Sequence, residues 1–124
     1  MKKALHIKTD GTVIELDLSK DSLEKLQEAV GGLVQAIDIL HDLTMWCNEE
    51  GKLIGLPFNP YGQDFWVSAY GDTDLIVGDI VLTGGCDHHG RTLGLSDGAT
   101  ALITVAMNRL RKMREQTTNQ TEGA

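Results

Sequence analysis

The densest group of side chains able to bind a metal is the tetrapeptide Cys86-Asp87-His88-His89. Thiolate, carboxylate and imidazole groups are all zinc ligands. A structural zinc site, however, needs four ligands, which usually arrive as two separated pairs. The remaining candidates, His6, His41 and Cys47, match no such spacing. We therefore expect a polar surface loop at this tetrapeptide, with neither a metal nor any other cofactor.

The cysteines and the adjacent acids Glu49-Glu50 are the candidates for catalysis. Cys47 lies beside Met45 in a predicted strand, which is typical of a small buried residue. Cys86 has no neighbour that supplies the lowered pKa of a reactive thiolate. At a predicted turn, the two glutamates are expected to be solvated rather than to form an acid–base pair. No glycine run leads into the Lys-Ser or Lys-Thr pair of a phosphate-binding loop. We therefore expect no enzyme activity.

Aromatic, amide and basic side chains favour a binding site instead. An indole ring can stack on a nucleobase while amides read its edge. Arginine and lysine can hold a phosphate through charge-assisted hydrogen bonds. Core packing competes with binding for the two tryptophans, and a solvated helix end or loop competes for the arginines. The predicted ligand-binding residues are Trp46, Asn48, Lys52, Asn59, Trp66, Arg91 and Arg109.

Length and composition indicate a single globular domain. The chain has 124 residues, of which 41% are hydrophobic and 23% charged, as in ordinary globular domains. Its net charge of -7 argues against nucleic-acid binding through general positive charge. No apolar run approaches the roughly 20 residues of a membrane span, and the N-terminus lacks the apolar stretch of a signal peptide. We expect a cytoplasmic protein with no membrane partner.

Local patterns in the first third predict a hairpin followed by a helix. Asp10-Gly11 separates two alternating runs, which predicts a type I′ turn. Asp21 with Glu24 three residues later predicts a capping box at the start of a helix. Gly31-Gly32 is expected to end that helix, with one glycine in the left-handed conformation.

The middle of the chain predicts further antiparallel strands. Strands are expected over 33–40 and 43–48, with His41-Asp42 as the turn between them. The run Asn48-Glu49-Glu50-Gly51-Lys52 predicts a second tight turn with Gly51 left-handed. A return strand over 52–56 is expected to follow it.

The second half predicts two helices around one strand. A helix is expected over 61–70 with Phe65 in the core, then a strand over 75–82 bent at Gly78-Asp79. Ser96 is expected to cap a final helix over 97–115. Its predicted apolar stripe is Ala99, Leu102, Ile103, Ala106, Leu110 and Met113. Its last turns carry basic residues that suit the helix dipole: Arg109, Arg111, Lys112 and Arg114.

These elements predict an α+β fold, a mainly antiparallel sheet of hairpins covered by two main helices, the first and the last. Residues 1–116 are expected to form one domain, and residues 117–124 a flexible C-terminal tail.

Two longer motifs are specific enough for a family resemblance. One is Asn-Glu-Glu-Gly-Lys-x-x-Gly-Leu-Pro-x-Asn over 48–59, and the other is Ile-Val-Gly-Asp over 76–79. Their order resembles a small domain of unknown function that is frequent in phages, prophages and some large eukaryotic viruses. The resemblance extends from about Ala4 to about Asp97. It implies a viral setting, an α+β domain and no assigned activity.

The leading hypothesis is a non-catalytic phage protein that counters host defence by sequestering a small anionic, nucleotide-like molecule. Because a domain of this size has little interior room, we expect the site to lie between subunits of a homo-oligomer. The alternative is an interaction protein that inhibits a host protein through its acidic surface. An enzyme is the least favoured class, since no nucleophile–base pair or metal set emerges.

Overall fold

The computed structural model of this chain describes residues 1–122, with the side-chain surroundings of residues 1–116. It confirms the predicted α+β class. The elements, in chain order, are β1 (Lys3–Ile7), β2 (Val13–Asp17), α1 (Ser22–Val30), β3 (Val34–Leu40), β4 (Leu43–Asn48), α2 (Pro60–Tyr70), β5 (Ile80–Thr83) and α3 (Asp97–Glu122).

All five strands form one sheet in the order β2-β1-β5-β4-β3, and every neighbouring pair is antiparallel. The first hairpin, β1–β2, and the second, β3–β4, are not hydrogen-bonded to each other. Strand β5 lies between them, with Ile80 opposite Ile7 on one side and Val81 opposite Trp46 on the other. The centre of the sheet therefore comes from the last strand in the sequence.

Helices cover both faces of the sheet, because successive side chains of a strand point to opposite faces. In β5, Ile80 and Leu82 pack with the core cluster that includes Ile103 and Met107 of α3. Val81, between them, packs with a second cluster that includes the α1 residues. Helix α1 thus covers one face, and α2 and α3 cover the other. The sequence predicted the two outer helices as the main cover, and α2 joins them.

The first hairpin is confirmed, but its predicted type I′ turn is wrong. A type I′ turn needs positive φ at both central residues, and of Asp10 and Gly11 only Gly11 has one, at 89°. The Gly11 N–H donates to the Lys8 carbonyl oxygen over 3.0 Å, which closes a longer loop. The Tyr61 ring packs on this loop so closely that a Cβ on Gly11 would lie 2.7 Å from its Cζ. The conformation of this loop is therefore matched to the packing of Tyr61 rather than determined by the Asp10-Gly11 pair alone.

The predicted capping box of α1 is also wrong. Asp21 adopts a left-handed conformation with φ of 53°, and its side chain makes no capping hydrogen bond. In that backbone conformation the carboxylate does not reach the free N–H groups of the first turn. The other end is as predicted, since Gly31 is left-handed with φ of 80° and its N–H donates to the Gln27 carbonyl oxygen over 2.8 Å.

The second tight turn and its return strand are wrong. Residues 49–55 form successive helical turns, in which the Ile54 N–H donates to the Glu50 carbonyl oxygen over 3.0 Å. Gly51 does not have the positive φ that the predicted turn needs. It is buried instead, and a Cβ there would lie 3.0 Å from Val77 Cγ2. Packing against the 75–77 segment thus favours turns over residues 49–55, where the sequence predicted a tight turn and a strand.

Helix α2 is confirmed, and Phe65 packs against the core as expected. The predicted bend before β5 is also confirmed. Gly78 has φ of 76°, and before it Val77 forms only an isolated bridge to Phe58. The regular strand therefore begins only at Ile80.

Ser96 caps α3 as predicted, since its Oγ accepts a hydrogen bond from the Ala99 N–H over 3.0 Å. The helix continues to Glu122, beyond the expected end at Glu115. Its cluster of basic residues therefore lies in mid-helix, and the predicted match to the dipole of the last turns is wrong. Of the tail predicted over 117–124, the side chains and the last two residues lie outside the described residues.

The core face of α3 is rotated from the predicted stripe. Ile103 and Met107 are buried at 5% and 0% exposure, and Met107 was not part of the prediction. Leu102 and Met113, which were predicted to face the core, are 74% and 55% exposed. The helix therefore carries more apolar surface than its own domain covers.

Candidate functional site

A groove of about 360 Å³ opens on the α2 side of the sheet. It lies between the end of β4, the 49–55 turns, α2 and the 74–77 segment. Its apolar lining comes from Ile37, Cys47, Leu53, Trp66, Leu75, Ile76 and Val77. Its charged lining comes from Glu49, Glu50, Lys52 and Asp74.

Asn48 fixes the wall that carries the two glutamates. Its side chain is buried and donates from Nδ2 to the Val30 carbonyl oxygen over 3.1 Å. Its Oδ1 accepts from the Glu50 N–H over 2.8 Å. One amide thus joins the end of α1 to the first of the 49–55 turns. Because both of its polar atoms are used in this way, Asn48 has a structural role at the groove.

Helix α2 holds the opposite wall. Gln63 donates from Nε2 to the Asp74 carbonyl oxygen over 2.9 Å and accepts from the Ile76 N–H over 2.8 Å. Trp66 donates from Nε1 to Thr73 Oγ1 over 3.2 Å, so its ring is fixed against the loop after the helix. These bonds fasten the segment after α2 back onto the helix and leave the Trp66 ring at the side of the groove.

The electrostatic balance of the groove is acidic. Lys52 is the one cation among its lining residues, and it is paired with Asp74. The hydrogen bond from Lys52, with a second from the Leu75 N–H, lowers the pKa of the Asp74 carboxyl. Glu49 and Glu50 are both exposed beside this pair. The groove therefore presents an excess of about two negative charges to whatever enters it.

The thiol of Cys47 lies at the floor of the groove and is free. Burial raises its pKa, which keeps it protonated at neutral pH. A protonated thiol is a poor nucleophile. The sequence-based expectation that Cys47 is a small buried residue is confirmed.

The structure brings together three of the seven predicted binding residues. Asn48, Lys52 and Trp66 all line the groove. Trp46 lies on the opposite face of the sheet, where it packs with the α1 cluster and donates from Nε1 to Thr83 Oγ1 over 2.9 Å. It therefore plays the core role that the sequence left open.

The other three predicted residues lie apart from the groove. Asn59 is 0% exposed and caps α2, accepting from the N–H groups of Tyr61 and Gly62. Arg91 is exposed in the loop before α3 and pairs with Asp87 over 3.2 Å. Arg109 is exposed on α3. The seven residues therefore do not form one site.

Sequence reasoning missed the acidic and aliphatic part of the groove. Glu49 and Glu50 were interpreted as solvated turn residues, and the 52–56 segment as a strand. A usable signal was present, because Leu53-Ile54 and Leu75 are apolar residues next to charged ones. Leu53 is 86% exposed and Leu75 is 58% exposed.

A family model described as "Domain of unknown function (DUF3846)" matches residues 1–110. The chain belongs to the DUF3846 family. This match confirms the expectation of a domain of unknown function. No curated protein and no solved structure matches the chain. The DUF3846 match spans the whole sheet, α1, α2 and the groove.

Two further observations concern the described part of the DUF3846 chain. Among those residues, no three His, Cys, Asp or Glu side chains gather where they could hold a metal ion. Within the same residues, no helix combines the length and the apolar character needed to cross a membrane. The Asp87 carboxylate, within the tetrapeptide considered as a zinc site, accepts hydrogen bonds from the N–H groups of His89 and Arg91 over 2.8 and 2.9 Å.

Proposed function

We propose that this DUF3846 protein is a non-catalytic interaction protein whose groove binds a basic, partly apolar segment of a partner protein. The observation that carries the proposal is the combination of exposed aliphatic side chains and uncompensated acids at one groove. Leu53 and Leu75 stand exposed at its rim, beside Glu49 and Glu50. Exposed apolar surface with a charged rim is typical of protein interaction sites.

Charge defines the class of partner. Glu49 and Glu50 repel an anion, and Lys52 is already paired with Asp74. A lysine or arginine of a partner would instead find two carboxylates within the same groove. Because the whole chain has a net charge of -7, long-range attraction adds to this local preference.

The apolar contacts give the partner its anchor. The groove is floored by Ile37, Ile76 and Val77 and has a volume of about 360 Å³, which lies near the lower end of the usual range for pockets that hold a compact group. An aliphatic or aromatic side chain of the partner would fill it and displace water from both leucines. A binding site of this kind needs no reacting group, and the protonated Cys47 supplies none.

The biological setting is part of the same proposal. The motif order over 48–59 and 76–79 resembles a domain frequent in phages, which supports a viral protein acting in the host cytoplasm. Binding to a basic surface of a host defence protein would inhibit that protein by occlusion. Neither step requires a cofactor.

A second candidate is the sequestration of a nucleotide-like molecule at the same groove. The observation in its favour is that Trp66 and Lys52 both line the groove. A base could stack on the indole while the ammonium group contacts a phosphate. The two glutamates oppose this candidate, because the phosphate would enter an acidic environment.

The test uses two dye-labelled amphipathic peptides of equal length, one of leucine and lysine and one of leucine and glutamate. Fluorescence anisotropy should show binding of the basic peptide and none of the acidic peptide. The variant E49K/E50K should weaken binding at least tenfold. The matched control E24K/E28K makes the same change in net charge on α1, which covers the other face of the sheet, and should retain binding.

Three outcomes would contradict the proposal: no binding of the basic peptide, equal binding of both peptides, or equal losses in the two variants. A parallel thermal-shift screen with mono-, di- and cyclic nucleotides tests the second candidate. A ligand at 100 times its Kd should stabilise the fold by about 2.7 kcal/mol. A shift that Trp66→Ala abolishes would favour nucleotide binding over the peptide.

A further inference from the structure

Helix α3 carries a second apolar stripe that is largely exposed. Leu102 is 74% exposed and Val105 is 66% exposed, while Met113 further along is 55% exposed. Arg109 and Lys112 lie between them at spacings of three and four residues. Such spacings place side chains on one side of a helix. We call these five residues the α3 stripe.

The stripe is separate from the face by which α3 holds the domain together. That face consists of Ile103 and Met107, both buried. It is supported by Arg111, whose guanidinium donates to the Gly11 carbonyl oxygen over 2.6 Å. A change in the stripe therefore leaves the attachment of α3 to the sheet intact.

The charge of the stripe is the opposite of the charge of the groove. Arg109 and Lys112 are exposed cations, and the shallow depression that they line also has Val105, Asn108, Met113 and Gln116 in its described lining, none of which carries a carboxylate. The groove has exposed aliphatic side chains with Glu49 and Glu50 beside them. One chain thus carries both a basic apolar helix face and an acidic apolar groove.

We propose that the α3 stripe of one copy of this chain docks into the acidic groove of a second copy. This inference rests on the proposed function of the groove as a binding site for a basic apolar segment, and it names that segment. The two copies would place Arg109 and Lys112 against Glu49 and Glu50, with Leu102 and Val105 against the rim leucines. Reciprocal exchange would give each pair of copies two identical contacts.

Self-association also accounts for the excess apolar surface of α3. A monomer leaves two large aliphatic side chains, Leu102 and Val105, largely in water on one helix face. Isolated exposed apolar residues are normal, but a contiguous stripe with a charged border marks an interface. The contact would be weakened by salt, because its specificity depends on exposed charges.

The test is a measurement of molar mass by light scattering from about 1 to 500 µM protein. The wild-type chain should exceed the monomer mass of 13.5 kDa as the concentration rises. The variants R109E/K112E and E49K/E50K should each remain monomeric, because like charges then face each other. An equimolar mixture of the two variants should associate again, since the reversed stripe of one variant is complementary to the reversed groove of the other, and the two unchanged surfaces are complementary to each other. The control E24K/E28K should behave as wild type.

A wild-type chain that stays at 13.5 kDa would overturn the inference, as would association unaffected by either reversal or a mixture that stays monomeric. Circular dichroism establishes that each variant is folded. Peptide binding to R109E/K112E, whose groove is intact, separates the two proposals. If this variant binds the basic peptide while the wild type remains monomeric, the inference fails and the function of the groove stands. If the basic peptide does not bind to this variant and the wild type remains monomeric, both the inference and the proposed function of the groove fail.

Discussion

Lys52 and Asp74 form an ion pair across the groove, joining the 49–55 turns to the segment after α2. Both side chains are about half exposed, so the pair itself adds little stability. The pair matters for the ligand instead. Because Lys52 neutralises Asp74, no cation of the described groove lining neutralises Glu49 and Glu50. Lys52→Met should therefore strengthen the binding of the basic peptide a few-fold. An unchanged anisotropy titration would show that Lys52 does not influence the groove.

Asn59→Ala should lower the free energy of unfolding by about 3 kcal/mol, because it removes a helix cap and leaves buried backbone groups without partners. The Asn59 side chain accepts from two N–H groups of α2 and donates to the carbonyl oxygens of Ile7 and Gly78. Urea denaturation measures the change. The exposed Asn108→Ala should shift the unfolding free energy by no more than about 0.5 kcal/mol, and equal effects would contradict this assignment.

Gly11→Ala should destabilise the fold more than Gly31→Ala. Both glycines have positive φ, so each substitution adds the strain of a left-handed alanine, about 1 kcal/mol. Only Gly11 also faces a close neighbour, since its new Cβ would meet the Tyr61 ring, whereas Gly31 has nothing within 4 Å. Overpacking should add about 1–3 kcal/mol at Gly11. Thermal unfolding of both variants provides the comparison, and equal losses would mean that the Tyr61 contact is unimportant.

Met107→Ala should cost about 2–5 kcal/mol, the usual range for a buried side chain cut to alanine. Met107 is 0% exposed in the core cluster, whereas Leu102 on the same helix is 74% exposed. Leu102→Ala should therefore change the unfolding free energy by no more than about 0.5 kcal/mol. Denaturation at low micromolar concentration tests the rotated core face of α3. A larger loss of unfolding free energy for Leu102→Ala would indicate that Leu102 faces the core, as the sequence predicted.

Acid should destabilise the fold through Asp17. A hydrogen bond from the Ser19 hydroxyl, with others from the N–H groups of Lys2 and Ser19, lowers the pKa of Asp17 to about 2. The pKa of an unfolded aspartate is about 3.9. The charged form is thus favoured in the folded state, so this stabilisation is present above about pH 4 and is lost as the pH falls towards 2. Asp17→Asn should show a smaller drop in the urea midpoint between pH 4 and pH 2 than wild type; an identical drop would contradict this role.

Most of the elements were predictable because their signals are local. The alternation in β2, the turn at His41-Asp42 and the cap at Ser96 each depend on residues within a few positions of one another. The 49–55 turns were not predictable in this way. Their conformation depends on Gly51 packing against Val77, a contact that only the folded chain creates.

The candidate site was harder to predict than the fold, because sequence proximity does not determine which face a side chain occupies. Trp46 and Asn48 are two residues apart on one strand, and both point away from the α2 side that bears Cys47. Asn48, the last residue of β4, nevertheless contributes to the lining of the groove. Arg91 lies in the loop before α3 and Arg109 lies on α3, and neither lines the groove. Their charge alone gave no information about how far they lie from the other predicted binding residues.

The position of β5 has a consequence for the order in which the molecule can be built. Both hairpins are complete within the first 48 residues, yet only Ile80–Thr83, paired with a strand of each, joins them into one sheet. Two-stranded hairpins are marginal in water by themselves. As the chain leaves the ribosome, its sheet must therefore remain two open halves with exposed edges until more than 80 residues have been made. Assembly of the core is thus a late event that joins distant segments, and such topologies fold slowly for their size.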